Sequence, residues 1–254
     1  MSAAILETKN LSLSFGGVHA VRDVEFEVRE GEVFSIIGPN GAGKTSIFNL
    51  ISRLYDADSG DIRFGGSSIM GLPPHRIAGL GIARTFQNTE LFEHETVLQN
   101  MLIGRHVHRA TNLLGEILFL PGVRRQELAF RKVVEDVIDL LDLQNYRDKV
   151  IGSLPYGVRK MVEVARALCI QPKLILLDEP SSGLNPEETE DVSFWIEDIN
   201  QEYGATVIMV EHDMNLVSRA SDRVMAVADG EVLAIGSPDE IQTHPEVLRA
   251  YLGD

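Results

Sequence analysis

The nine residues Gly38-Pro39-Asn40-Gly41-Ala42-Gly43-Lys44-Thr45-Ser46 constrain the fold of this chain more than any others, because of what flanks them. The apolar run Val33-Phe34-Ser35-Ile36-Ile37 precedes them, and the helix-patterned Ile47-Phe48-Asn49-Leu50-Ile51 follows. Strand, glycine-rich loop and helix is the order in which backbone can wrap a phosphate. Glycines let successive N–H groups turn inward, and the N-terminus of the following helix adds positive potential. The spacing assigns Lys44 to the β/γ-phosphates of a nucleotide and the Thr45 hydroxyl to Mg²⁺, which predicts a nucleoside triphosphatase.

The rest of the chain reads as an α/β protein. Apolar and polar residues alternate over 10–15 and again over 24–28, as in antiparallel strands with one solvated face, and 59–66 reads as a further short strand and turn. Apolar positions recur at helical spacing from about 96 to 148. Continuous apolar runs return at 174–177, 206–210 and 224–227, alternating with helical patterns at about 186–203 and 214–220. This alternation predicts a parallel sheet with crossover helices, in which ligands gather at the carboxyl ends of the strands. The whole chain, 1–254, is expected to form one catalytic domain: an α/β core from 1–95 and 160–254 with a helical subdomain of about 96–159 inserted.

Three of the apolar strands end in residues capable of chemistry. One runs into the phosphate loop, one into Asp178-Glu179-Pro180 and one into Glu211-His212-Asp213. Adjacent carboxylates at the end of a buried strand are costly unless they meet a cation. Magnesium bound to ATP is such a cation, so Asp178 is expected to hold the metal and Glu179 to polarise the attacking water. A histidine at the same sheet edge, His212, is placed to bond the γ-phosphate. Taken alone, Phe15 reads as a core aromatic and Gln87 as a solvated glutamine.

Composition narrows the partners. The formal net charge of -15 opposes general binding to nucleic acid or to anionic lipid, both of which need clustered Lys and Arg. Residues 1–9 carry no basic region followed by a long apolar core, and no apolar run is long enough for a bilayer, so a cytoplasmic protein is expected. The single cysteine, Cys169, lies in an apolar helical run and reads as a buried small residue.

In their order and spacing these residues resemble the ATP-binding subunits of ABC transporters over essentially the whole chain. Phe15, with Ala20 beside it, matches the family's adenine-stacking aromatic, and residues 38 to 46 match Walker A. Gln87 matches the Q-loop, Leu154-Pro155-Tyr156-Gly157-Val158 stands at the signature position, and Asp178 with Glu179 completes Walker B. Ser182-Gly183-Leu184-Asn185 falls where the D-loop belongs, and His212 matches the H-loop. Within the family the likeness is to the ATPase subunits of branched-chain amino-acid importers. It rests on Phe15-Gly16-Gly17, the long segment from 104 to 131, Ser182 to Pro186, and the tail from Gly236 through Ala250-Tyr251-Leu252-Gly253.

The resemblance implies a P-loop NTPase (RecA-like) core with a mainly parallel sheet, an N-terminal antiparallel β layer and an inserted helical subdomain. It implies ATP and Mg²⁺ as ligands, with Thr45, Gln87 and Asp178 around the metal and Glu179, Gln87 and His212 at the reacting phosphate. It also implies a second ATPase subunit, identical or different, closing head to tail so that the signature segment acts on the partner's ATP. Membrane permease subunits would hold the pair on the inner face of the membrane, fed by an external solute-binding protein. Two departures stand out: Pro155 and Val158 replace the serine and glutamine of the usual Leu-Ser-Gly-Gly-Gln, and Asn185 replaces the common D-loop aspartate. A lipid or lipopolysaccharide transport ATPase would share every catalytic residue and stays open at this point. A soluble ABC ATPase acting on DNA or ribosomes would call for a basic face, a coiled-coil insertion or a second cassette, and the chain has none of these.

Overall fold

The computed structural model describes residues 3–85, 91–109 and 121–252. Two compact units emerge, one of Met1–Gln87 with Lys173–Asp254 and the other of Asn88–Pro172. The expected Q-loop residue Gln87 and residues 112–120 of the apolar run 112–121 lie outside the described residues.

The first unit holds two sheets. In chain order the strands of its first half are β1 (Ala4–Phe15), β2 (Val18–Arg29), β3 (Val33–Ile37), β4 (Ser59–Phe64), β5 (Ser67–Ser68) and β6 (Ile82–Arg84). Those of the second half are β7 (Leu174–Asp178), β8 (Thr206–Val210), β9 (Arg223–Ala228) and β10 (Glu231–Gly236). A four-stranded sheet runs β2-β1-β4-β5 with antiparallel pairing, and a six-stranded sheet runs β10-β9-β3-β8-β7-β6. In the larger sheet β9, β3, β8, β7 and β6 pair in parallel, and β10 closes one edge antiparallel to β9. Every residue of β3, β7 and β8 is buried, which explains their unbroken apolar sequences: a strand covered on both faces has no solvated side on which to alternate.

Helix α1 (Lys44–Ile51) follows the phosphate loop and buries Ile47, Phe48, Leu50 and Ile51 in a core shared by both sheets. The rings of Phe26 on β2 and Phe34 on β3 stack with centroids 5.6 Å apart. Full burial of a side chain such as Phe34 or Phe48 contributes about 1.5–3 kcal/mol, so this seam is a principal source of stability. Helix α2 (Pro74–Leu80) leads into β6.

The second unit is helical. It contains α3 (Val97–Gly104), α4 (Pro121–Leu140) and α5 (Tyr156–Leu168), so the compact unit starts before residue 96 and extends past 159. Thr96 and Gln99 form a reciprocal capping box at the start of α3. At its end, Gly104 lies so close to α5 that an added Cβ would stand 2.4 Å from the Arg166 carbonyl oxygen, a contact that only glycine permits. Cys169, just past α5, is fully buried, and burial pushes its thiol up to about 12. No helix among the described residues is long and apolar enough to cross a membrane.

In the first unit, α6 (Pro186–Gln201), α7 (Met214–Ala220), α8 (Pro238–Thr243) and α9 (Pro245–Leu252) complete the fold.

Candidate functional site

The carboxyl ends of β3 and β7 open onto one cavity of about 310 Å³, lined by Ala20, residues 40–46 and Glu179. The loop takes its shape from glycine. Gly41 and Gly43 have φ of 85° and 100°, and a Cβ on Gly43 would stand 2.3 Å from the carbonyl oxygen of Ala20. Gly43 is also the residue preceding α1, so the first N–H groups of that helix face a loop without side-chain caps.

Lys44 is nearly buried at the centre of the loop. Its Nζ donates to the carbonyl oxygens of Gly38 at 2.7 Å and Pro39 at 3.0 Å. Burial pulls its ammonium below the usual lysine range, and the negative charges of Glu179 and Asp178 oppose that shift. The Thr45 side chain is exposed and Ser46 half-buried. The Tyr251 phenol of α9 reaches the Gly38 backbone in a hydrogen bond, and burial raises the pKa of that phenol.

The two carboxylates after β7 have different surroundings. Asp178 is 4% exposed, and its Oδ2 accepts from Arg84 at 2.9 Å. The cation that Asp178 meets in this structure is thus Arg84, at the end of the adjacent strand β6. The same guanidinium donates to Asn49 Oδ1 on α1 at 2.7 Å and to Oγ of its C-cap Ser52 at 2.8 Å, and it lies 5.6 Å from the Phe48 ring centroid. No sequence pattern singles out Arg84, because one arginine in a three-residue strand carries no periodic signal. Glu179 adopts a left-handed φ of 49° and its N–H bonds the Val210 carbonyl at 2.9 Å, which ties the ends of β7 and β8 together.

His212 follows β8 with a side chain 61% exposed, its Nδ1 3.8 Å from Glu211 Oε2. Neither His212 nor Phe15 lines the cavity. Phe15 ends β1, is 48% exposed, and meets Tyr55 edge-on with ring centroids 5.3 Å apart. Ser182, Gly183 and Leu184 lead from the Glu179 turn into α6, whose N-cap is Asn185. The Asn185 Oδ1 accepts from the N–H groups of Glu187 and Glu188, each at 3.0 Å, while Glu188 Oε2 accepts from the Asn185 N–H. Its amide therefore caps a helix, a sufficient physical reason for asparagine here. Asn185→Ala is expected to lower unfolding free energy by about 1 kcal/mol, as read by urea titration. An unchanged midpoint and slope would deny the cap that role.

In the helical unit, Leu154 is buried and Pro155 is the N-cap of α5, with no side-chain cap on the first turn. Gly157 is buried within that turn, Val158 is half-buried, and Tyr156 packs its exposed ring against the Arg159 guanidinium, 5.9 Å from the centroid. The backbone N–H groups at this helix start thus have no side-chain oxygen of their own.

The donors on hand suit a hard divalent cation. A threonine hydroxyl and an aspartate carboxylate are oxygen ligands of the kind Mg²⁺ takes, one or two from protein and the rest from phosphate and water. Among the described residues no cluster of three His, Cys, Asp or Glu could cage a metal without such help.

Residues 21–182 match the ABC transporter family model, and 231–254 match the model for a branched-chain amino acid ATP-binding cassette transporter. The chain is 41% identical over 254 residues to the high-affinity branched-chain amino acid transport ATP-binding protein BraF of Pseudomonas aeruginosa, covering 100% of both chains. The solved structure of the ADP conformation of MJ1267, an ATP-binding cassette of an ABC transporter, superposes with a TM-score of 0.87 at 30% identity and full coverage of both chains. The dimeric post-hydrolysis structure of the ATP-binding cassette MJ0796, bound to ADP and Pi, gives 0.75 at 25% identity, covering 92% of this chain and 98% of that one. With a phosphate loop, a carboxylate pair and a histidine on one sheet edge, and likeness running from end to end, the chain belongs to the ABC transporter family as one of its ATP-binding cassettes.

Proposed function

We propose that this chain is the ATP-binding and ATP-hydrolysing subunit of an importer for branched-chain or related amino acids. The observation that carries the reading is the single cavity shared by the phosphate loop and Glu179, at the carboxyl ends of parallel strands. The solute class is supported by the tail match and by the end-to-end similarity to a branched-chain amino acid transport protein.

Each residue takes a role on that reading. The N–H groups of residues 40–46 cradle the phosphates, and Lys44 exchanges its two carbonyl partners for phosphate oxygens. Phe15, exposed at the end of β1, offers its ring to the adenine, and Ala20 lines the cavity beside the loop. Glu179 accepts a proton from the attacking water, and His212 donates to the γ-phosphate. Thr45, Gln87 and Asp178 would hold Mg²⁺, which when bound supplies charge neutralisation at the phosphates.

A second cassette completes the machine. Residues Leu154, Pro155, Tyr156, Gly157 and Val158 act on ATP held by that partner, through backbone N–H groups at the start of α5 in place of a serine hydroxyl. The D-loop residues Ser182 to Asn185 lie along the same junction. Permease subunits tie the pair to the inner face of the membrane, and a solute-binding protein delivers the amino acid outside. The dimeric cassette among the structural neighbours supports the pairing.

Lys44→Ala tests the phosphate loop. Removing a partly desolvated ammonium that faces two phosphates should weaken MgATP binding 10- to 100-fold by calorimetry on the folded protein. Unchanged affinity would remove the phosphate-loop assignment. Co-purification of permease subunits, followed by uptake of labelled leucine in vesicles, tests the solute.

A further inference from the structure

Glu211 stands between the two strand ends that carry Glu179 and His212, and neither the sequence pattern nor the proposed chemistry gives it a task. It is completely buried, at 0% exposure. A carboxylate taken out of water is strongly disfavoured unless hydrogen-bond donors meet it. Here the donors come from two different loops. Oε1 accepts the Ser181 N–H at 2.9 Å, in the turn after β7. Oε2 accepts the His212 N–H at 2.9 Å and the Asp213 N–H at 3.3 Å, after β8.

The turn reached by Oε1 is the strained one. Glu179 is a non-glycine residue at φ 49°, and such a conformation persists only where its surroundings over-determine it. Its own N–H is held by the Val210 carbonyl, and its carbonyl accepts the Ser182 N–H at 3.1 Å. The bond from Ser181 to Glu211 fixes the residue between these two anchors. The three hydrogen bonds that the carboxylate accepts all come from backbone donors and occupy both oxygens, so the position requires two acceptor oxygens. Glutamine has one, and its NH₂ would face an N–H.

We propose that Glu211 is a positioning residue for hydrolysis: its carboxylate locks the Glu179 turn and the His212 backbone into one unit, so that the base and the phosphate-sensing histidine keep a fixed spacing. The inference rests on the roles proposed above for Glu179 and His212, and it adds a link that neither residue reveals alone.

Glu211→Gln in the assembled transporter is expected to lower kcat 10- to 50-fold while KM for ATP, and MgATP affinity of the purified chain by calorimetry, stay within twofold. In a His212→Ala background the same substitution should cost less than it does alone, because part of what it positions is gone. Amide exchange gives an independent reading. The Ser181, His212 and Asp213 amides should be protected in the wild type and should speed up together in Glu211→Gln, with the phosphate-loop amides unmoved. Should Glu211→Gln fail to fold, Glu211→Asp, which keeps the charge but shortens the reach, is expected to give the same pattern. A kcat within twofold of wild type, fully multiplicative losses with His212→Ala, or fast exchange at Ser181 in the wild type would each overturn the proposal. A purified chain that does not bind MgATP overturns the functional reading and this inference with it; normal binding and hydrolysis with an indifferent Glu211→Gln overturns the inference alone.

Discussion

Replacing Glu179 by glutamine is expected to slow ATP hydrolysis by about 100- to 10,000-fold while leaving nucleotide binding intact. The backbone at Glu179 is set by bonds that glutamine keeps: its N–H to Val210 at 2.9 Å and its carbonyl to the Ser182 N–H at 3.1 Å. Shape is preserved, and what is lost is a carboxylate able to take a proton. The substitution also removes a negative charge that acts on Lys44, so affinity for the anionic nucleotide should not fall. Phosphate release from the reconstituted transporter measures the rate, and size-exclusion with ATP measures how far a closed pair accumulates. Turnover within fivefold of wild type would take Glu179 out of the chemistry.

The second large effect concerns stability. Arg84→Ala should lower unfolding free energy by about 3–5 kcal/mol, because the guanidinium and the Asp178 carboxylate are 7% and 4% exposed and each is the other's buried counter-charge. Losing the arginine strands a carboxylate at the end of β7 and also frees Asn49 and Ser52, which it ties to the sheet. Arg84→Lys should recover little, since one ammonium cannot span three acceptors in a plane. A companion measurement separates the ion pair from the loss of packing: Arg84→Ala with Asp178→Ala should cost distinctly less than the sum of the two single substitutions. If Arg84→Ala alone costs under 1 kcal/mol by chemical denaturation, the pair does not hold this edge of the sheet.

These two residues show where sequence reading reaches and where it stops. The phosphate loop was legible because glycine, lysine and threonine at fixed spacing between a strand and a helix have one common physical purpose. The carboxyl-end residues Asp178, Glu179 and His212 were legible because unbroken apolar runs mark strands buried on both faces, and polar residues after such runs must emerge at one edge. The antiparallel layer was seen only in part. Strands β1 and β2 each run 12 residues, but Asn10 and Asp23 take left-handed φ of 48° and 49°, and the register of the pair shifts between Thr8 and Leu11. A bulge of this kind breaks the period of two on which strand recognition depends. Strand β10 escaped because its residues are half-exposed at a sheet edge and carry no clean alternation. Arg84 and Glu211 escaped for another reason. Their significance lies in partners far along the chain, at 178 and 181, and no local pattern announces a long-range ion pair or a carboxylate shared by two loops.

The burial of Cys169 has a practical consequence for following this molecule at work. A thiol held at about 12 is ionised at pH 7 only on the order of one part in 10⁵, and it offers no surface to a reagent. Because it is the chain's single cysteine, the unmodified sequence is expected to take up no maleimide in the folded state. A cysteine introduced at an exposed site such as Val18, on the hairpin beside Phe15, would therefore take up a fluorophore or spin label alone. Distances between labelled cassettes could then be recorded through a cycle of turnover without first rebuilding the interior of the helical unit.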